Sequence, residues 1–332
     1  MESFYPEFKA AFAGLLAALA GRRVAVIGHA RPDGDCIGAQ VALARVLAAR
    51  GHEAVCVNGD AVPRRLGFLA LGMNFLRTDD LPKAADDYAA VFVDCADHAR
   101  GGQRLKAAFP RPVGNIDHHL SDGGFADINV VDSASAATCE ILAGVLLDQG
   151  IQLDPQTAQA LYTGILTDTG QFRFASTSRR CFVLAGELVA RGASPSVAGY
   201  ELYERETPGR LRLLEHFLAS LRLECGGRVA VGLLTPESFS ETGTGPEDTE
   251  GLVDYARSMD GVEVGVLIEQ QAHGPVKASL RSKEAALRVD LIAGQFGGGG
   301  HACAAGLNVK DPPPDFRERL IAAIEKRLPP RA

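Results

Sequence analysis

Five short segments place carboxylates and imidazoles where strands are expected to end. They are His29-Ala-Arg-Pro-Asp33-Gly-Asp35, Asp94 of Val-Phe-Val-Asp, Asp117-His118-His119, Asp168 of Gly-Ile-Leu-Thr-Asp-Thr-Gly, and Gly297-Gly-Gly-Gly-His301. Carboxylate oxygen and neutral imidazole suit manganese, magnesium, iron or zinc. The Asp33-Gly-Asp35 spacing projects two carboxylates from one tight turn, because Gly34 puts no side chain between them. The same turn also suits an Asx-type cap on a following helix. A lone acid such as Asp94 at a strand end is more often an N-cap. Beside a second acidic loop it becomes a candidate bridge between two cations about 3.5–4 Å apart. Adjacent histidines in a turn can face different ways, one toward a metal and the other toward substrate. Asp117 can orient one of them. Asp168 closes an apolar helix, where burying a carboxylate is costly unless it is paired or coordinates a metal. The chemistry this set suggests is metal-assisted cleavage of a phosphate ester.

The glycine-rich segment has a different character. Gly297 to His301 is not followed by Lys-Ser or Lys-Thr and lacks the strand and acidic context of a dinucleotide fingerprint. Consecutive glycines, among them Gly299 and Gly300, let backbone amides approach an anion closely. His301 can then donate to a phosphate oxygen. Upstream, Leu280-Arg-Ser-Lys283 offers bidentate recognition through Arg281 and a point charge through Lys283. These residues read as a clamp for a terminal phosphate or nucleotide. His52, His98, His216 and His273 have no ligand-like spacing and read as surface or satisfied histidines.

The elements that would carry these residues follow from periodicity. Residues 24–28 form an apolar run read as a buried strand, residues 36–50 a helix, and residues 53–58, 88–94 and 112–116 further strands. Strands alternating with helices imply βαβ units and a parallel sheet covered on both faces. Ligands of such sheets sit beyond the carboxyl ends of strands, where His29, Asp94 and Asp117 fall. Residues 135–149 read as a helix, and Asp154-Pro155 opens another that runs toward Asp168. Residues 194–223 stay helical with charged faces and read as a connection. A second α/β region follows, with strands at 228–235, 262–270 and 276–280, helices at 249–258 and 315–328, and a loop at 241–248.

Composition bounds the reading. At 332 residues, 46% hydrophobic and 23% charged, the chain suits a globular protein of two domains. A net charge of −7 argues against a general binder of long duplex nucleic acid, and bound divalent cations would cancel part of it. Seven scattered cysteines without a CxxC pair read as reduced thiols in a cytoplasmic enzyme. Residues 10–20 imitate a signal-peptide core, but Glu2 and Glu7 against Lys9 do not make a basic leader. A helix packing on the domain is expected there. No apolar run reaches about 18 residues, so no membrane span is expected.

Assembled in order, these segments resemble the DHH/DHHA1 phosphoesterases, most of all the stand-alone bacterial nanoRNase/pAp phosphatases. His-x3-Asp-x-Asp, Val-Asp, Asp-His-His and Thr-Asp carry the first half of the resemblance. Ser-Leu-Arg-Ser-Lys and Gly-Gly-Gly-His-x3-Ala-Gly carry the second. The resemblance implies an α/β fold, with a parallel-sheet DHH catalytic domain over 1–190, a helical linker over 191–223 and a smaller α/β DHHA1 substrate-binding domain over 224–332. It implies two divalent metal ions, manganese first, with magnesium, iron or cobalt as alternatives. His29, Asp33 and Asp94 would hold one ion. Asp35, Asp94, His118 and Asp168 would hold the other. Asp117 would support, and His119 would face the scissile phosphate. Arg281, Ser282, Lys283, Gly299, Gly300 and His301 would bind substrate. The implied activity is hydrolysis of very short oligoribonucleotides and of 3′-phosphoadenosine 5′-phosphate (pAp), with a hinged second domain closing over nucleotide partners. Neither long duplexes nor membranes are expected partners, and a homodimer is left open. Cyclic di-AMP or linear pApA is an alternative substrate, and a non-catalytic nucleotide sensor is an alternative of another class. Ala39, where many relatives carry Ser, and residues 121–124, where relatives often have an Asn-containing turn, depart from the pattern without touching an expected ligand.

Overall fold

A computed structural model describes residues 3–81, 87–272 and 274–330. Glu2 and His273 lie outside the described residues. The chain divides into two compact units, Met1–Arg205 and Glu206–Ala332.

The first unit is built on a six-stranded parallel sheet. Its strands are β1 (Arg23–Ile27), β2 (Ala54–Asn58), β3 (Phe75–Arg77), β4 (Tyr88–Val93), β5 (Gly114–Asp117) and β6 (Ile128–Val131), in spatial order β3-β2-β1-β4-β5-β6. Alternation along β1 sends Val24 and Val26 to one hydrophobic core and Ala25 and Ile27 to another. The larger core also holds α1 (Lys9–Ala18), α2 (Gly34–Ala49), α4 (Thr138–Asp148), α5 (Pro155–Asp168) and α6 (Arg179–Ala190). The smaller core, on the other face, gathers Phe92 with Leu105 of α3 (Gln103–Ala108). Each such side chain, fully buried, contributes about 1.5–3 kcal/mol relative to exposure.

Helix α2 is buried along nearly its whole length, so it has no solvent face to spare. Its neighbours approach closely because glycine stands at the contacts. A Cβ on Gly38 would meet Cys139 Sγ at 3.0 Å, and one on Gly164 would meet Asp35 Oδ1 at 2.8 Å. The start of α2 is fixed by Asp33, whose carboxylate accepts from the Asp35 and Cys36 amides at 3.1 Å each. Asp154 caps α5 in the same way through the Thr157 amide, with Pro155 in the first turn.

The second unit holds a mixed six-stranded sheet. Its strands are β7 (Arg222–Glu224), β8 (Val229–Leu234), β9 (Val264–Glu269), β10 (Val276–Ser282), β11 (Gly299–His301) and β12 (Ala304–Val309), in order β11-β12-β10-β9-β8-β7. Only β8 and β9 run parallel. One core packs α11 (Val289–Gly294) and α12 (Phe316–Glu325) against it. Another packs α8 (Pro208–Ser220), α9 (Pro236–Thr242) and α10 (Leu252–Ser258).

Several elements differ from expectation. The connection read over 194–223 is divided. Helix α7 (Pro195–Gly199) and the π turn Tyr200–Glu204 belong to the first unit, and α8 belongs to the second. The reason is packing: Leu213 and Phe217 of α8 are fully buried, and Phe217 lies against Gly232 of β8. The stretch read as a loop over 241–248 contains the end of α9 and a 3-10 turn, Pro246–Thr249. Left-handed Gly243 ends α9 there. Helix α10 begins only at Leu252, because Gly251 before it is also left-handed. Strands β3, β6 and β12 and helices α3 and α11 lie outside the expected elements because they are short or mixed in pattern. Helix α6 also lies outside them, although Cys181, Leu184, Ala185 and Leu188 recur at helical spacing behind a Ser178 cap.

Candidate metal centre

Strands β1 and β4 are neighbours in the sheet, and the strand order reverses between them. At such a point the loops beyond two adjacent strands diverge and leave a crevice. His29 lies just beyond β1, Asp94 just beyond β4, and Asp117 ends β5 next door. Helix α2 starts from the same edge and brings Asp33 and Asp35. Helix α5 ends there with Asp168. Five elements therefore deliver side chains to one place. Asp94 adopts a left-handed backbone with φ of 58°, uncommon for a residue with a side chain. It does not cap a following helix, the commoner role of such an acid. Asp33 does cap α2, the Asx-type role its sequence allows, while Asp35 of the same turn points toward α4.

Two imidazoles are set among the acids. His29 Nδ1 is 2.9 Å from the Ala30 carbonyl, which can only accept, so Nδ1 donates. Its Nε2 stands 3.3 Å from Asp94 Oδ2 and 3.7 Å from Asp33 Oδ1. His118 repeats the arrangement, with Nδ1 3.3 Å from the Ser135 carbonyl. Its Nε2 faces Asp168 Oδ2 at 3.3 Å, Asp94 Oδ1 at 3.6 Å and Asp35 Oδ2 at 3.9 Å. Asp94 thus presents one oxygen to each histidine. His119 differs: its Nδ1 donates to Asp117 Oδ1 at 2.7 Å, and its amide donates to Asp117 Oδ2 at 3.2 Å.

Residues that the sequence did not single out complete the cage. The Thr138 and Cys139 amides donate to the two oxygens of Asp35 at 2.6 and 2.8 Å. Thr138 Oγ1 donates to Asp94 Oδ1 at 3.2 Å. Asp35 of one helix therefore satisfies the open amides of another, α4. Nothing local to Thr138 signals this, since its role depends on packing between α2 and α4. Cys36 also lies within ligand distance of His29 and Asp94.

The charge pattern fits divalent cations. Burial, then the charge of Asp94, pushes the Asp35 carboxyl well above its usual range. Burial, then Asp35, does the same to Asp168. Burial would also raise Asp94, but the imidazoles of His29, His119 and His118 hold it well below the usual range. Burial favours neutral His29, yet nearby Cys36, Asp33 and Asp94 raise it well above the ordinary value. Imidazole lone pairs and acid oxygens that face one another at 3.3–3.9 Å need protons or cations between them. Two sets, His29 with Cys36 and Asp94, and Asp35 with His118 and Asp168, each place one donor atom per residue within 4.8 Å of the others.

The second unit carries the other expected residues. Arg281 on β10 pairs with Ala304 on β12, which pairs with His301 on β11. Directly opposed residues share a sheet face, so Arg281 and His301 lie on one face on either side of a small residue. Ser282 is buried, and its hydroxyl donates to the Glu284 carbonyl at 3.2 Å. Lys283 donates from Nζ to the Met259 carbonyl at 2.9 Å. Gly299 and Gly300 lie in an edge strand and not in an irregular loop. Gly300 has φ of 143°, and a Cβ there would meet Ala305 Cα at 2.8 Å.

Residues 23–165 match the DHH family N-terminal domain and residues 226–328 match the DHHA1 domain. The chain belongs to the DHH/DHHA1 phosphoesterases. It is 33% identical over 301 residues to the bifunctional oligoribonuclease and PAP phosphatase NrnA of Thermus thermophilus, covering 90% of this chain and 88% of that one. It is 25% identical over 302 residues to the protein of the same name from Bacillus subtilis, covering 90% and 92%. Among solved structures, an exopolyphosphatase-related protein from Bacteroides fragilis superposes with a TM-score of 0.86 at 23% identity, covering 96% of each chain. The exonuclease RecJ bound to manganese gives 0.55 at 18%, covering 99% and 97%. These structures share the fold. Among the described residues no helix is long and apolar enough to cross a membrane.

Proposed function

We propose that this chain hydrolyses phosphate esters in very short oligoribonucleotides and in pAp, using two divalent cations, manganese first, with magnesium, iron or cobalt as alternatives. One observation carries the reading: His29, Asp33, Asp35, Asp94, His118 and Asp168 converge on the sheet edge where strand order reverses. The names of the relatives from Thermus thermophilus and Bacillus subtilis supply the substrate class. In this proposal His29, Asp33 and Asp94 hold one cation. Asp35, Asp94, His118 and Asp168 hold the other, with Asp94 shared.

Bound cations would supply an acidified water and charge neutralisation for in-line displacement at phosphorus. The protein's own groups do the rest. The carbonyls of Ala30 and Ser135 fix the tautomers of His29 and His118, so that Nε2 of each offers a lone pair. Asp117 fixes His119 and favours its imidazolium, which can donate from Nε2 to a phosphoryl oxygen. Arg281, Lys283, Gly299, Gly300 and His301 bind the nucleotide end of the substrate, while Ser282, buried on the opposite face of β10, supports the strand behind them. The placement of Arg281 and His301 on one sheet face supports this. A reducing, cytoplasmic setting belongs to the proposal, supported by seven cysteines that stand as free thiols.

The experiment is a side-by-side assay of the manganese-loaded full chain on a diribonucleotide, pAp and cyclic di-AMP, with and without EDTA. Mononucleotide release and phosphate release are expected, both lost with EDTA and in Asp94→Ala. Preference for cyclic di-AMP would replace this substrate class with the cyclic-dinucleotide one. Nucleotide binding without turnover would replace the enzyme with a sensor.

A further inference from the structure

Helix α2 brings three potential donors to the metal centre within its cap and first turn, and they divide between two sides. Asp35 turns toward α4, where the Thr138 and Cys139 amides hold it. Asp33 and Cys36 are three apart and share the other side, toward His29. The His29 imidazole, the Cys36 Sγ and an Asp94 carboxylate oxygen all lie within 4.8 Å of one another. A cation with bonds of about 2.0–2.3 Å spans such a triangle.

The thiol is held there by its surroundings. Cys36 is fully buried, and its amide donates to Asp33 Oδ1 at 3.1 Å. Gly28 makes room, since a Cβ at that position would collide with Cys36 Sγ. Beyond the sulfur stands Gln40, whose Nε2 is tied to the Val26 and Val57 carbonyls at 2.8 and 3.2 Å. Asn58 borders the same space: its Oδ1 lies 2.8 Å from that Cβ position. Its amide is 1% exposed and finds no hydrogen-bond partner among the described residues. Burying an amide this way is costly, so the polar side of the sulfur is an unsatisfied one. Cys36 itself donates to Gln40 Oε1 at a long 3.9 Å, a weak contact that a metal bond would replace, whereas Cys139 donates to the Asp35 carbonyl at 3.4 Å.

We propose that Cys36 is a sulfur ligand at the His29–Asp33–Asp94 cation position, and that it biases that position toward thiophilic divalent cations such as zinc, iron(II) and cobalt(II). The proposal rests on the two-cation reading of the site. Soft thiolate prefers these ions over magnesium and manganese, which favour oxygen donors. Forming the bond replaces S–H by S–metal and releases the proton to solvent, so no oxidant or reductant is needed.

The test uses the full chain, stripped with chelator and reloaded with cobalt(II) or zinc. The wild type is expected to show a thiolate-to-cobalt charge-transfer band in the near ultraviolet. Cys36→Ser should lose the band yet keep the weaker ligand-field bands, and Cys139→Ser should keep both. The ratio of zinc to manganese affinity should fall by roughly 10–100-fold in Cys36→Ser, the scale seen when a metal's immediate surroundings change. X-ray absorption of the zinc-loaded wild type needs no variant, and should show one sulfur at about 2.3 Å beside nitrogen and oxygen at about 2.0–2.2 Å. Cobalt bound at both positions of the wild type without a charge-transfer band, or zinc bound without sulfur, would overturn the proposal. Failure of the two-cation reading looks different: Asp94→Ala would keep the full metal complement.

Discussion

His118 Nε2 stands 3.3 Å from Asp168 Oδ2, although one residue follows β5 and the other ends α5. The contact exists because α5 packs on α2 and ends beside the sheet edge. His118 has already committed Nδ1 to the Ser135 carbonyl, so the face turned to Asp168 carries its lone pair. Asp168→Asn keeps the shape and removes the charge. The variant is expected to retain about one equivalent of manganese instead of two. Its kcat should fall by on the order of 100-fold or more, beyond what a supporting residue costs. Metal analysis after gel filtration and initial rates on a diribonucleotide check both. Full metal content with unchanged kcat would reject Asp168 as a ligand.

Asp117 and His119 make a second pair with a different task. Asp117 accepts from both Nδ1 and the amide of His119. Burial favours neutral His119, but Asp117 and Asp94 outweigh it and raise its pKa. An activity that needs the imidazolium is present below that pKa and lost as pH rises through it. Asp117→Asn removes one raising charge, so the alkaline limb of kcat/KM should move to lower pH. The metal content should stay whole and kcat should fall about 10–100-fold. An unmoved limb would mean that His119 does not act as the imidazolium.

Much of this centre is legible in the sequence, and the reason is local. Val24 to Gly28 and Tyr88 to Val93 are apolar runs, Pro112 to Ile116 is a shorter and more mixed one, and each acid or histidine sits where its run stops. A parallel sheet collects such ends at one edge, so strand boundaries alone place His29, Asp94 and Asp117 together. Asp168 is harder to read, because its position depends on how α5 lies on α2. Thr138 carries no local mark at all. Its contacts with Asp94 and Asp35 arise from helix packing, and helix packing depends on glycines whose purpose shows only in three dimensions. Cys36 is carried by the same first turn as Asp33 and Asp35, but only the approach of His29 and Asp94 shows it as a donor. Gly300 makes the same point in the second unit, where a residue expected to let its amide approach an anion lies against β12 in an edge strand.

Gly164 is the sharpest of these packing glycines. A Cβ there would collide with Cys139 Sγ and reach 2.8 Å from Asp35 Oδ1. Asp35 is one of the carboxylates proposed for the second cation, and Cys139 holds it through its amide. Gly164→Ala gains helix propensity of about 1 kcal/mol, and the overpacking cost of about 1–3 kcal/mol is expected to exceed it. Urea unfolding of the metal-free protein should show a lower midpoint. Manganese affinity should fall as well, because the displaced atom belongs to Asp35. A variant as stable as the wild type with unchanged affinity would show that α4 and α5 yield more freely than the contacts suggest.

Above about pH 5, where the depressed Asp33 and Asp94 are ionised in both folded and unfolded states, the metal-free centre should make stability depend on pH in a definite direction. Asp35 and Asp168 are held well above the usual carboxylate range, by burial first and then by neighbouring charge. The folded state therefore keeps protons that the unfolded state releases from about pH 4 upward. Stability falls while pH rises through that window, and the loss is complete above the folded pKa values. His29 acts in the same sense, since its raised pKa gives stability below the ordinary histidine range that is lost as pH passes the folded value. Each unit of displacement corresponds to about 1.4 kcal/mol. Cations replace the protons, so manganese should raise the melting temperature more at about pH 8 than at about pH 5.5. Thermal unfolding of the chelator-treated protein at both values checks the slope. The double variant Asp35→Asn with Asp168→Asn should flatten the slope and lose most of the manganese response. A metal-free protein that gains stability toward alkaline pH would contradict the assignment of these two carboxyls as buried, proton-holding groups.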